Sequence, residues 1–469
     1  MFIRLHDYQK KAAKFLFTER FSGLFLDPGL GKTAISLTYT QLLRKYGNVK
    51  KVLIIAPKRV CQITWPDEIK KWENYSDLTW SVVHGNNKAQ ALKKDVDIYL
   101  INPEGLKWLS AQLDKGCIHD FDVLIIDEST KFKSWKAKRM KILIKMLRYF
   151  SRRHILTGTP APNGLIDIFS QVYVLDRGEA LGKNITRYRE AYFNYDPFKY
   201  KYSLKDGCAE IIQSRIAPMI LQMSADDYLD LPELIPNKIY VELTNYARDI
   251  YEDLERELFA EIEDDEVSLV NGGAKYNACR QVANGALYHQ EGYFPSGEEK
   301  PKPGSRGFYD LHDEKIEALG DLVEELQGKP LLVAYNYKHD LERIKKAFPQ
   351  CKVIGEGSEK DDMKLVRDWN AGKIGMLLGH PASMGHGLNM QDSGRHICWY
   401  SLTDNLENYD QFNRRIYRQG VDSNVTVHHI MAKRTVDEMI YIRNQQKGEV
   451  QDSLRDALKK YRQQKERYL

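Results

Sequence analysis

Cysteine is sparse in this sequence and badly placed for cross-linking. The six residues at 61, 117, 208, 279, 351 and 398 are scattered, with no C-x-x-C pair. That excludes a disulfide framework and a zinc ribbon and leaves them as apolar filler. Long apolar runs are also missing. None approaches the roughly twenty residues that cross a bilayer, and the N-terminus lacks a basic-then-apolar leader pattern, so a soluble intracellular protein without a membrane partner is expected. Nor is one charge sign in large excess: 70 Lys and Arg face 65 Asp and Glu, for a net charge of +5. Such a balance permits a polyanionic partner without requiring one. With 42% hydrophobic and 29% charged residues over 469 positions, the chain has an ordinary globular composition and the length of two or three domains.

One further absence is local. A strict G-x-x-x-x-G-K-[ST] loop would open with a glycine where Leu26 stands, yet the rest of the pattern follows in Asp27-Pro28-Gly29-Leu30-Gly31-Lys32-Thr33. An apolar run, Leu24 to Leu26, precedes it, and a helix-forming segment beginning Thr33-Ala34-Ile35 follows it. Strand, glycine turn and helix start make a phosphate cradle. Gly29 and Gly31 let the backbone turn tightly and point its N–H groups inward, Lys32 supplies a point charge for β- and γ-phosphates, and the Thr33 hydroxyl can ligate Mg²⁺. The helix N-terminus adds its positive end. A flexible strand-to-helix turn is the plainer alternative.

Downstream, Val52–Pro57, Ile98–Asn102, Val123–Asp127 and His154–Thr159 are short apolar runs separated by helix-length polar segments. That is the pattern of a parallel sheet covered on both faces, whose functional residues gather at the carboxyl ends of its strands. Asp127-Glu128-Ser129-Thr130 closes one run. Asp127 is placed to hold Mg²⁺ through water, and Glu128 to orient or deprotonate an attacking water. The same four residues also suit a helix start; the cradle upstream favours catalysis. Thr157-Gly158-Thr159-Pro160-Ala161-Pro162-Asn163 ends the next run with hydroxyls that could sense the nucleotide. Upstream of the cradle, Leu5-His6-Asp7-Tyr8-Gln9 opens a helical pattern, and the Gln9 amide could read an adenine edge.

The segment 131–141 interleaves lysines with Phe132 and Trp135 and suits either phosphates or a solvated helix face. Residues 175–230 are tyrosine-rich, with a second basic-aromatic patch at Phe198-Lys199-Tyr200-Lys201-Tyr202. Helical spacing from Ala247 to Ile262 and a loop from Phe294 to Gly307 follow. A new alternation of helices and apolar runs then comes at Leu331–Tyr335, Ile374–Leu378, His396–Tyr400 and Val425–Ile430. The expected architecture is therefore α/β, two tandem domains each with a mainly parallel sheet flanked by helices, plus helical insertions. Expected boundaries are 1–235 for the first domain, 236–310 for a helical insertion and loop, and 311–469 for the second domain with a polar C-terminal helix that could support either domain or a partner. In the second domain Ser383 to Asn389 forms a glycine turn. Arg415 and Arg418 lie three apart, on one helical face with Gln411 a turn earlier, and suit the charge that develops on a transferring γ-phosphoryl group.

Taken in order, these stretches resemble the superfamily 2 helicases and translocases, and within them the Swi/Snf-like branch. Leu5 to Gln9 is similar to its adenine-reading Gln motif, Asp27 to Thr33 to motif I, and Ile55-Ala56-Pro57-Lys58 with Trp65 and Glu68 to motif Ia. Asp127 to Thr130 with Lys133 resembles motif II, Leu156 to Asn163 motif III, Gly387-Leu388-Asn389 motif V and Gln411 to Gly420 motif VI. Departures are Thr130 for the usual His, Pro162 and Val421 for Gln, Ile220-Leu221-Gln222-Met223 for Arg-Arg-x-Lys, and Asp404-Asn405-Leu406 for Trp-Asn-Pro. The short form suits bacterial or phage members, hence a bacterial or phage-infected host cytoplasm. The resemblance implies two RecA-like domains with ATP and Mg²⁺ between them and a nucleic-acid-dependent ATPase that moves along DNA, double-stranded in this branch. It implies nucleotide contacts at Gln9, Pro28 to Thr33 and Gly387, metal contacts at Thr33 and Asp127, and catalytic roles for Lys32, Asp127, Glu128, Gln411, Arg415 and Arg418. Nucleic acid would meet Lys58, Asn102, Thr157 and Asn389. A strand-separating helicase, an ATP-switched binding subunit and the motor of a defence system remain as alternatives; protein partners are not specified.

Overall fold

The computed structural model describes residues 2–47, 49, 51–116, 121–196, 201–229, 231–263, 269–289, 307–384 and 388–467. It divides into two compact units, residues 1–230 with 447–469, and residues 231–446.

The apolar runs of the first unit become the strands β1 (Phe21–Leu26), β2 (Val52–Ile55), β3 (Trp80–Val82), β4 (Ile98–Ile101), β5 (Val123–Asp127) and β6 (Arg152–Thr157). A separate antiparallel hairpin, β7 (Phe193–Asp196) with β8 (Lys201–Leu204), follows, and then β9 (Ile220–Met223). The main sheet runs β3-β4-β2-β5-β6-β1-β9, and every pairing in it is parallel. Because helices cover both faces, no polar alternation is needed: all four residues of β2 and of β4 are buried. One face is filled by Leu53, Ile55, Leu124, Ile126 and Ile155 under helices that bring Leu109, Leu143 and Phe169. Leu454 from the C-terminal helix joins this cluster. That is why residues 447–469 count with the first unit rather than with the second as the sequence division has it.

The second unit starts with β10 (Leu234–Val241). An antiparallel hairpin, β11 (Ala286–Tyr288) with β12 (Phe308–Asp310), precedes β13 (Leu331–Ala334), β14 (Lys352–Ile354), β15 (Met376–Gly379), β16 (His396–Trp399) and β17 (Val425–Ala432). Its sheet is ordered β10-β17-β16-β13-β15-β14 and is parallel throughout. Alternate residues serve opposite cores. Leu331, Val333, Leu378 and Cys398 enter one; Leu332, Ala334, Leu377, Ile397 and Trp399 enter the other.

Segment 236–310 was expected to be helical insertion and loop, but its first residues are a sheet strand. Pro236, Asn237 and Lys238 break the apolar run, which hides the strand from periodicity. Proline is tolerated there because β10 is at the sheet edge. Helices Asn245–Glu263 and Leu269–Ala283 then follow, and most of the Phe294–Gly307 loop lies outside the described residues. A buried polar knot joins the end of the second of these helices to the helices Glu314–Glu325 and Val436–Arg467: Lys315 Nζ lies 2.6 Å from Asp437 Oδ2 and donates to Asn284 Oδ1 at 2.8 Å.

His154, inside β6, is fully buried and held between the Ser22 hydroxyl at 2.9 Å and the Tyr39 hydroxyl at 2.6 Å. Burial, with a smaller push from Arg152, lowers its pKa to about 3. The unfolded chain therefore takes up a proton here that the folded chain refuses. Stability from this group is complete above about pH 6.5 and falls at lower pH, by roughly 1.4 kcal/mol per pH unit. Denaturant midpoints should drop between pH 7 and pH 5, and His154→Gln should flatten that drop; equal slopes for both proteins would refute the assignment.

Candidate functional site

The glycine turn after β1 is shaped by its backbone. Gly29 has φ 97° and Gly31 φ 79°, the left-handed region that a side chain at either position would strain. Gly31 is also the N-cap of the helix Lys32–Tyr46, so the first N–H groups of that helix face the loop. The turn is held from three sides. Gln9 donates from Nε2 to the Leu30 carbonyl at 3.2 Å and accepts at Oε1 from the His6 N–H at 3.0 Å; a Cβ on Gly31 would stand 2.4 Å from Nε2. Asp27, almost fully buried, accepts from the Ala225 N–H at 3.1 Å and the Ser224 hydroxyl at 3.4 Å. Gly158 presses on Pro28 so closely that a Cβ would meet the proline ring at 2.9 Å. At the base of the loop Lys32 donates to the Leu26 carbonyl at 2.8 Å, and Thr33 is half-buried beside it.

Asp127 ends β5 next to this turn. Its Oδ2 accepts from the Trp65 indole N–H at 3.0 Å. Burial raises its pKa, opposed first by the charge of Lys32 and then by the Trp65 bond. Glu128 follows with φ 62° and ψ 62°, a left-handed conformation that side-chain-bearing residues avoid unless the surroundings impose it. Its Oε1 accepts from the Thr130 and Thr157 hydroxyls, each at 3.3 Å. Thr157 Oγ1 accepts in turn from the Thr159 N–H at 3.1 Å. No group of three or more His, Cys, Asp or Glu suited to a metal cage occurs among the described residues. One carboxylate and one hydroxyl fit Mg²⁺, which takes few protein ligands and completes its shell with phosphate and water.

Other expected residues fare differently. Thr157 is wholly buried, so its hydroxyl is spent on Glu128 and presents no face to nucleic acid. Asn102 is buried too; its side chain meets Glu104 and, at 3.4 Å, His84. Lys58 is exposed just beyond β2. In the second unit the helix ends at Asn413, so Arg415 and Arg418 sit in successive turns and not on one helical face. Tight i+3 bonds from Arg415 N to Phe412 O and from Ile416 N to Asn413 O, 3.1 and 3.2 Å, replace helical ones. Arg415 is buried, donating to the Gln411 and Leu388 carbonyls at 2.9 and 3.1 Å. It fastens motif VI to the glycine turn before it. Gln411 is buried against Glu407 at 3.4 Å. Arg418 is partly exposed and donates to Asn389 Oδ1. Gly387 lies outside the described residues.

Comparison with known proteins settles the family. Residues 8–287 match the SNF2-related domain, and residues 314–420 the helicase conserved C-terminal domain. The chain belongs to the SNF2-related family. Being an SNF2-related protein of the superfamily 2 helicase class, it is a nucleic-acid-dependent ATPase built on two RecA-like domains. Putative protein p41 of Acyrthosiphon pisum secondary endosymbiont phage 1 is 35% identical, with 97% of this chain and 98% of that one covered. An uncharacterized ATP-dependent helicase of Mycoplasma genitalium is 24% identical over 96% of this chain, which spans only 42% of that protein. A SWI/SNF-related matrix-associated actin-dependent regulator of chromatin subfamily A-like protein 1 from Xenopus tropicalis is likewise 24% identical, over 90% of this chain and 42% of its own length. Among solved structures, the SWI2/SNF2 ATPase core of Sulfolobus solfataricus in complex with dsDNA is 21% identical over 94% of this chain and 90% of that one, with a TM-score of 0.44.

Two supports of the SNF2-related site escaped sequence reasoning. Ser224 and Ala225 grip Asp27 at the start of the glycine turn from beyond β9, a strand noticed in the sequence only as a departure. Gln171 is wholly buried in the helix Ile168–Asp176. It accepts from the Ser129 hydroxyl at 2.7 Å and donates to the Pro160 and Asp167 carbonyls at 2.7 and 3.0 Å. A lone amide in the apolar run Ile168-Phe169-Ser170-Gln171-Val172 was the available signal, since a buried amide needs partners. Gln171→Leu keeps the volume and removes the bridge between the turns after β5 and β6. The expected result is a kcat for ATP hydrolysis about tenfold or more below wild type with little change in KM; an unchanged kcat would show the bridge to be inert.

Proposed function

We propose that this SNF2-related ATPase uses ATP with Mg²⁺ to translocate along double-stranded DNA with little sequence preference. The observation that carries the reading is that the clamped turn with Lys32, and Asp127 with Glu128, lie at the carboxyl ends of β1 and β5, the two strands that flank β6 in the first unit. ATP phosphates would lie on the N–H groups of residues 29–33, with Lys32 released from the Leu26 carbonyl to meet them. Bound Mg²⁺ would be held by Thr33 and, through water, by Asp127, and would neutralise charge on the β- and γ-oxygens. Glu128, aimed by Thr157 and Thr130, would position the attacking water and accept its proton. Gln9 would face the adenine edge, and Arg418 is assigned to the charge that develops on the γ-phosphoryl group. Exposed Lys58 and the Asn389 turn would touch the sugar-phosphate backbone, which carries little sequence information.

Lys32→Ala and Glu128→Gln should each abolish hydrolysis while DNA binding persists. The glutamine keeps an acceptor for both threonines, so only the charge is lost. Arg418→Ala should retain nucleotide binding and hydrolyse about 10³-fold more slowly. Turnover surviving in either of the first two would refute the site. Translocation itself is tested by ATP-dependent displacement of a third strand from duplex DNA, which the wild type should perform and Glu128→Gln should not. Displacement by both proteins, or by neither, would contradict the translocase reading.

A further inference from the structure

Trp65 is wholly buried beside the site and has no task in the hydrolysis set out above. An indole N–H can only donate, so a buried tryptophan has to find an acceptor. A main-chain carbonyl is enough for Trp369 of the second unit, which donates to Met390 O at 3.0 Å. Trp65 donates instead to a carboxylate oxygen, Asp127 Oδ2, at 3.0 Å. The chain leaving β2 is built to make that bond. β2 pairs with β5 so that Ile55 is level with Ile126, and the segment after β2 therefore starts close to Asp127. It then passes through one wide turn, Val60–Thr64, in which the Trp65 N–H bonds to the Val60 carbonyl five residues back. The Cys61 thiol fastens this turn to the Ala56 carbonyl at 3.2 Å. Single π turns of this kind are rare overall and concentrated at functional sites. Here the turn delivers an indole to the end of the neighbouring strand.

A carboxylate has two oxygens and rotates about its Cβ–Cγ bond. With Oδ2 fixed by the indole, the direction of Oδ1 is fixed as well. Asp127 is assigned to Mg²⁺ through water, and Mg²⁺ tolerates little departure from octahedral geometry. An acid free to rotate would serve such an ion poorly. Phenylalanine or leucine at position 65 would fill the space but would withhold the donor. The bond that the indole makes is charge-assisted, and groups that orient a metal's ligands without touching the metal typically change metal affinity or activity about 10- to 100-fold.

We propose that Trp65 is a positioning residue for the ATPase, its indole N–H setting the orientation in which Asp127 receives Mg²⁺ with ATP. The proposal rests on the reading of Asp127 as a metal-binding acid, and its test is a binding measurement that needs no turnover. Anisotropy of a fluorescent, hydrolysis-resistant ATP analogue should be followed in EDTA and then over rising Mg²⁺. The proteins compared are the wild type, Trp65→Phe, Asp127→Asn, the double variant, and a chain with β-(benzothienyl)alanine at position 65, whose sulfur replaces the N–H in a ring of nearly the same shape. Thermal midpoints of the free proteins check that packing survives in the last of these. Both replacements of Trp65 should raise the half-effective Mg²⁺ concentration about tenfold and leave affinity in EDTA at the wild-type value. Asp127→Asn should raise it at least as far, and adding Trp65→Phe to Asp127→Asn should raise it no further, because the two residues act through one bond. A wild-type Mg²⁺ response in the benzothienyl protein, or an equal loss of affinity with and without Mg²⁺, would overturn the proposal. If Asp127→Asn shifts the response and neither Trp65 replacement does, this inference falls and the metal reading stands; if no variant shifts it, both fall.

Discussion

The buried carboxylate of Asp27 and the groups that hold it make the rest of the site possible. A glycine turn that must offer its N–H groups to a ligand cannot use them to stabilise itself, and two residues with positive φ give it no local preference for one shape. Its conformation has to be imposed from outside. Ala225 and Ser224 fix Asp27 on one flank, Gly158 packs against Pro28 on another, and Gln9 holds the Leu30 carbonyl from a third. Each support comes from a different part of the chain, so the loop is set only when the whole sheet from β6 through β1 to β9 has formed.

The same supports connect the chemical groups to one another. Gly158 belongs to the turn whose Thr157 reaches Glu128, and Gln171 joins that turn to Ser129 beside Glu128. A shift of the turn after β6 would therefore be felt both at the glycine turn after β1 and at the Glu128 carboxylate. This is a short chain of hydrogen bonds and one tight packing contact, the kind of physical continuity that coupling between a nucleotide and a second ligand requires. The left-handed backbone of Glu128 fits that picture, because strain is kept where surrounding contacts fix it.

Much of this was legible in the sequence. Continuous apolar runs such as Val52–Ile55 and Val123–Ile126 gave both sheets, and the residues that end them gave Asp127 and Glu128. What periodicity could not show was any strand too short or too polar to stand out. β3 and β14 have three residues each, and β10 is interrupted by Pro236, so the second unit begins earlier than its apolar runs suggest. Helical spacing misled at Arg415 and Arg418, because nothing in Gln411 to Gly420 announces that the helix stops at Asn413; the side-chain bonds of Arg415 to nearby carbonyls make the turns favourable only in the folded context. Thr157 and Asn102 were assigned to nucleic acid by the family resemblance, and both are buried. Their burial follows from partners, Glu128 and Glu104, that are remote or ambiguous in a sequence read alone.

The central claim, that the clamped loop serves an ATPase driven by duplex DNA, is tested most directly by steady-state hydrolysis of the pure protein without nucleic acid and then with duplex DNA, single-stranded DNA and RNA over a range of salt. The account predicts strong stimulation by duplex DNA of any sequence, declining as salt rises because the contacts are to phosphate. Turnover that ignores duplex DNA, or that responds more to RNA than to duplex, would contradict it.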